Sequence, residues 1–154
     1  MCCKSKDYSM SELFADITSV VVGSGDLASS GDTGSFRVPL SSALMLDGEW
    51  CCRLHSIQFP QTPDKNSVFV SCDFVESSVV GSGSLNVLYK TRAMTSTAPG
   101  PVFVLDTSPN PIYRKVSKSV INAMTLTLTS SDGTQLPAVP GQFTTAELVF
   151  VRRK

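Results

Sequence analysis

The sequence predicts an all-β fold built as an eight-stranded antiparallel sandwich, on three observations. The chain carries 23 Ser, 13 Thr and 17 Val against only 4 Ile, a composition suited to short, half-buried pleated strands. Its 10 Gly and 9 Pro recur with other turn residues at roughly 8–14-residue intervals, the rhythm of strands joined by turns. Long runs of the helix formers Ala, Leu, Glu and Lys are absent. A chain of 154 residues makes one domain, and at this size roughly 68–70% of the extended surface is buried, enough for a core without disulfides.

Residues 1–15 read as a flexible polar arm and residues 16–154 as the single domain. The first strand is expected over 16–22, DITSVVV, and the Ser/Gly/Asp tract 23–35 reads as a mobile loop. FRVPL (36–40) is a strand whose Pro39, lacking an N–H, belongs at a sheet edge or strand end. Asp47-Gly48, between the apolar runs ALML and EWCCRLHSIQFP, is a two-residue hairpin signal, the glycine supplying the positive φ of a primed turn. In the strand over 49–59, alternation places Trp50, Cys52 and Leu54 on one face and Arg53, His55 and Ile57 on the other.

QTPDKN (61–66) is a loop, SVFVSCDFVE (67–76) a strand, VVGSGS (79–84) a turn, and LNVLYKTR (85–92) a strand. AMTSTAPGP (93–101) is a flexible loop before the short strand VFVLD (102–106), and an SPNP turn leads into IYRKV (112–116). The alternation is cleanest over 120–133, with Met124, Leu126 and Leu128 on one face, Thr125, Thr127 and Thr129 on the other, and a closing turn at Asp132-Gly133. TTAELVFVRRK (144–154) ends the chain with Leu148 and Phe150 inward. Two packed antiparallel sheets bury such strands. No internal repeat points to a propeller. A single jelly roll fits better than an immunoglobulin sandwich, whose Cys…Trp…Cys spacing is missing.

The chemistry-bearing residues are few. The five cysteines include the vicinal pairs Cys2-Cys3 and Cys51-Cys52, and adjacent cysteines are poor disulfide partners. Cys51, Cys52 and Cys72 read as reduced packing residues. For Cys2 and Cys3 a disordered arm is favoured over acylation or inter-chain crosslinking. With one histidine, His55, and no C-x-x-C, zinc spacing is missing. The Gly-rich stretch 23–36 lacks the Lys-Ser/Thr ending of a phosphate loop. The carboxylate pairs Asp47/Glu49 and Asp73/Glu76 read as ordinary strand-end residues. Neither a catalytic site nor a cofactor or metal is expected. An enzyme would need His55 paired with Cys52 or Cys72.

The order of features from 36 to 154 resembles the short single jelly-roll capsid proteins, penton-like or minor capsid, of adintoviruses, polinton-type elements and adomaviruses. The matching pieces are FRVPLSSALMLDGEWCCRLHSIQFP, VFVSCDFVESSVVGSGSLNVLYKTR, NPIYRKVSKSVINAMTLTLTSSDGT and TTAELVFVRR, about three quarters of the chain. The resemblance implies a non-catalytic virion protein of a double-stranded DNA virus, forming homopentamers at capsid vertices. It implies contacts with the major capsid protein and with a fibre or spike. The protein would be made in the host cytosol, with the nucleus as one place of assembly. The chain has no RGD tripeptide, so receptor binding is not carried over. The alternative is a β-sandwich binding module, a fibre head or glycan-binding domain, with Tyr8, Trp50, Tyr89 and Tyr113 as its stacking residues.

Charge leaves two readings of assembly open. Thirteen acidic residues balance thirteen basic ones, but residues 1–76 carry a net −5 and residues 77–154 a net +5. Complementary faces would register neighbouring subunits in a ring. The bland reading is that strands of both halves interleave and the charges mix. Arg114, Lys115 and Lys118, with Arg152, Arg153 and Lys154, are candidates for sequence-blind contact with packaged DNA; solvated strand ends or an acidic partner patch are the alternatives. No stretch approaches the ~20 apolar residues of a membrane span. The start, MCCKSKDYSM, has no apolar secretory core, so export by that route is not expected.

Overall fold

The structure, a computed structural model, describes residues 14–26, 29–60, 67–80, 83–92 and 100–154. Among them lie twelve strands: β1 (Phe14–Gly23), β2 (Ser30–Gly31), β3 (Ser35–Met45), β4 (Trp50–Pro60), β5 (Ser67–Cys72), β6 (Ser78–Val80), β7 (Gly83–Leu85), β8 (Val87–Arg92), β9 (Pro101–Leu105), β10 (Arg114–Lys115), β11 (Val120–Ser130) and β12 (Thr145–Arg153). The count exceeds the expected eight because β2, β6, β7 and β10 are two- or three-residue pairings at turns and edges; eight strands have five residues or more. The strand β1 starts two residues inside the expected arm. The rest of that arm and the loop 61–66 lie outside the described residues, as does most of the loop 93–101.

The all-β class is observed, with every pairing antiparallel. One five-stranded sheet runs β1-β12-β4, with β9 and β10 sharing the far edge of β4; the other runs β2-β3-β11-β5-β8, and β6-β7 form a small separate ribbon. The two large sheets bury one core, an arrangement consistent with a β-sandwich. Phe150 of β12 meets Phe74, just beyond β5, across that core, with ring centroids 5.5 Å apart in a tilted arrangement. Met124, Leu126 and Leu128 are fully buried while Thr125, Thr127 and Thr129 are half-buried, the face assignment that alternation predicts. Leu148 and Phe150 are likewise fully buried. Among the described residues no helix is long and apolar enough to cross a membrane.

Two local readings are corrected by long-range pairing. Gly48 does take the left-handed conformation, with φ +91°, yet Asp47-Gly48 does not close a hairpin. The strands it joins belong to different sheets, β3 pairing with β11 and β4 with β12. The turn instead carries the chain across the core. It is held by Leu46 N–H donating to Ser119 O at 2.7 Å and Trp50 Nε1 donating to Asp47 O at 2.9 Å. In β4, Ile57 is fully buried on the face of Trp50, Cys52 and Leu54, not on that of Arg53. The cause is a β-bulge: Glu147 pairs Ser56 but Leu148 pairs Leu54, which leaves His55 as an extra residue. One inserted residue reverses the parity of all that follows.

The tract 23–35 is also more ordered than a mobile loop where it is described. Thr33 is buried; its carbonyl accepts from Thr144 Oγ1 at 2.7 Å and its hydroxyl from Val139 N–H at 3.1 Å. Asp32 Oδ1 accepts from the backbone N–H groups of Gly34 and Ser35 at 2.7 and 2.9 Å. Glycine is required at position 34 by proximity, since a Cβ there would lie 2.0 Å from the Leu136 carbonyl oxygen. Gly34→Ala is therefore expected to lower unfolding stability by about 1–3 kcal/mol through overpacking, read as a lower denaturant midpoint at unchanged m-value.

Candidate assembly surfaces

The residues singled out for chemistry fall into three places. Cys51, Cys52 and Cys72 are free and buried, as packing residues are expected to be. Neighbours on a strand point to opposite faces, so Cys52 enters the shared core while Cys51 lies on the alternate face between Lys115 and Val151. Burial pushes the Cys72 thiol up to about 12 from 9.0, and the Asp73 charge adds to the shift. The Cys52 thiol is likewise raised well above its ordinary value, first by burial and then by Cys72 and Cys51. A thiol shifted this way is protonated at neutral pH, whereas the thiolate is the nucleophile and metal ligand.

His55 sits on the bulge outside the core cluster, its Nδ1 buried without a hydrogen-bond partner. Cys52 Sγ approaches the Arg53 carbonyl at 3.8 Å. Among the described residues no group of three or more His, Cys, Asp or Glu is placed to hold a metal ion. Cys2, Cys3 and Tyr8 lie outside the described residues.

The connection after β9 folds over the alternate face of β4. Asp106 N–H donates to the His55 carbonyl at 2.9 Å, and the Asp106 carboxylate lies 3.8 Å from the Arg53 guanidinium, both side chains well buried. Arg53 also stacks over Tyr113, 5.9 Å from the ring centroid. Such a buried pair positions the connection more than it stabilises it, because desolvation offsets much of the attraction. Tyr113 is thus engaged by the chain itself. Trp50 is almost fully buried, and Tyr89 is half-buried with its hydroxyl pKa raised by burial and then by Asp106.

The charge halves mix. Arg152 pairs with Asp16 at 3.4 Å, Lys115 with Glu76 at 3.5 Å and Lys118 with Asp73 at 2.8 Å, each joining the acidic first half to the basic second. Interleaved strands thus neutralise much of the asymmetry within one chain. Three of the six cations considered for DNA are in these ion pairs, and Arg114 is turned half-buried toward β8. Asp73 does more than pair: its other oxygen accepts from Thr125 N–H at 3.0 Å, tying the turn after β5 to β11.

Sequence reasoning missed the two grooves at the open sides of the paired sheets. A groove of about 560 Å³ lies between β1 and β3, lined by Val20, Val22, Val38, Leu40 and Leu44 with Asp26 at its edge. A second, of about 230 Å³, lies between β8 and the Ile112–Arg114 segment on the opposite side. The only linear signal for either was Pro39, which marks β3 as a strand with a free edge. No protein-family model matches the chain, and no curated protein matches it.

Two outcomes follow from this electrostatic arrangement. Between pH 9 and pH 12 the unfolded chain releases thiol protons that Cys72 holds in the folded state. Stability contributed below pH 9 is therefore lost as pH rises, at about 1.4 kcal/mol per pH unit for a thiol shifted in this way. Chemical denaturation at stepped alkaline pH measures the slope, which should flatten in Cys72→Ala. Separately, Asp73→Ala should lower stability by about 1–2 kcal/mol, because the Thr125 N–H loses its acceptor. Lys118→Ala should lower it by less than about 1 kcal/mol, since the ion pair is largely solvated; urea titration of the two variants distinguishes them.

Proposed function

We propose that the chain is a single jelly-roll structural protein of a virus capsid, a penton-like vertex subunit that assembles as a homopentamer. The observation that carries this reading is the order in which the eight longer strands pair. By rank along the chain, first pairs with eighth, eighth with third and third with sixth in one sheet; second pairs with seventh, seventh with fourth and fourth with fifth in the other. That order supports reading the fold as two Greek keys wound into a jelly roll, an architecture used by viral capsid and lectin domains. Within those domains, the ordered motifs from 36 to 154 favour the capsid.

Two further observations support assembly. Both lateral sides of the sandwich leave strand edges unpaired among the described residues, and such edges invite another chain. Large apolar side chains are exposed on the same molecule, among them Val21, Val79, Phe103 and Ile112. On this reading the major capsid protein and a fibre or spike are the further partners, and the virion is the site of action. The self-paired cations favour protein contacts over packaged DNA.

Native mass spectrometry of the full-length protein tests the reading. Five copies of the 16.5 kDa chain are expected. A monomer at high concentration that also fails to bind a major capsid protein overturns it, and three copies with glycan binding replace it with the fibre-head alternative.

A further inference from the structure

The two open sides of the sandwich differ in a way that selects a partner. Among the described residues, on one side β1 pairs only with β12, and β3 meets β2 only at Arg37 and Phe36. From Val38 onward the outer edge of β3 has no partner among the described residues. Here β3 also departs from β11, because Leu44 stands opposite Ile121 but Pro39 opposite Ala123; residues 40–43 have no register partner and form the rim of the larger groove. Among the described residues, the sole charged side chain lining that groove is Asp26. On the other side, among the described residues, β8 pairs only with β5. Its groove is lined by apolar Phe69, Val79, Leu88 and Ile112, and its charged lining residues are Lys90 and Arg114. The Arg114 Nε is buried with no hydrogen-bond partner, a donor left unsatisfied within the chain.

We propose that the occupant of the β1–β3 groove is a second copy of this chain, docked head to tail through its β8–β10 side, with Lys90 and Arg114 facing Asp26. Two alternatives are disfavoured by charge. Pairing like side to like side would set Asp26 against Asp26 or Arg114 against Arg114, and like charges across an interface are repulsive. A head-to-tail contact places unlike charges together at every junction and repeats around a ring. It also brings the exposed Val21 and Val79 toward apolar partners. The inference rests on the homopentamer reading for the closure of the ring, but the contact itself can be tested separately.

The test uses the full-length chain with Cys2 and Cys3 replaced by serine, carrying Ser42→Cys in the first groove or Ser78→Cys in the second. Treatment with a short bismaleimide should give a crosslinked dimer when the two variants are mixed and none with either alone. A ladder should appear when both cysteines are in one chain. Asp26→Arg and Arg114→Asp should each reduce the crosslink about tenfold or more, and the two together should restore it. Absence of the mixed crosslink, or homodimers through Ser42→Cys or Ser78→Cys alone, overturns the proposal. Restoration in the double variant separates pairing from loss of folding. Head-to-tail crosslinks with a native mass other than five copies keep the docking and remove the pentamer; five copies without them do the reverse.

Discussion

The two sheets depend on strands that arrive last. β11 and β12 follow one another at the end of the chain, and each lies in the interior of a sheet, β11 between β3 and β5 and β12 between β1 and β4. Neither flanking pair has any other means of closing its gap, so the sandwich cannot form until the C-terminal third is in place. This is a topology of long-range contacts, which folds slowly because loop closure precedes any compensating burial. It also explains the charge distribution. Strands of the basic half are threaded between strands of the acidic half, and Asp16, Asp73 and Glu76 find Arg152, Lys118 and Lys115 as neighbours.

The bulge at His55 is the local device that makes this packing work. β4 is an interior strand, with β12 along one edge and β9 and β10 along the other, and a strict alternation through its length would turn Ile57 and Phe59 away from the core. The extra residue returns both to the buried face. It also aims the His55 carbonyl at Asp106, so the connection after β9 is anchored to the same irregularity. Arg53, Asp106 and Tyr113 then cover the alternate face, which is why β4 is largely buried on both sides.

Interior strands satisfied on both edges leave the unsatisfied groups at the flanks. The two flanks are not equivalent. One presents a free β1–β3 mouth with a carboxylate, the other a free β8 edge with two cations and an unpaired guanidinium donor. A subunit with two unlike, open sides is suited to a heterologous contact, in which each interface uses one side of each neighbour. In the proposed assembly, the link from the fold runs through these strand edges.

The chain's pattern alone determined the all-β class, the inward Met124, Leu126 and Leu128, the inward Leu148 and Phe150, the burial of the three mid-chain cysteines, and the left-handed Gly48. Each follows from composition, from period-two alternation or from one residue's steric freedom, and all of these are local. Tertiary structure alone decided that Asp47-Gly48 crosses between sheets, that Ile57 joins the core past a bulge, that the charge halves cancel within one molecule, and that Asp26 and Arg114 sit on opposite flanks. Those outcomes depend on which distant strand lies alongside. That choice is made by the burial of whole faces between segments as far apart as β1 and β12, and a sequence pattern records the face of a strand but not the identity of its neighbour.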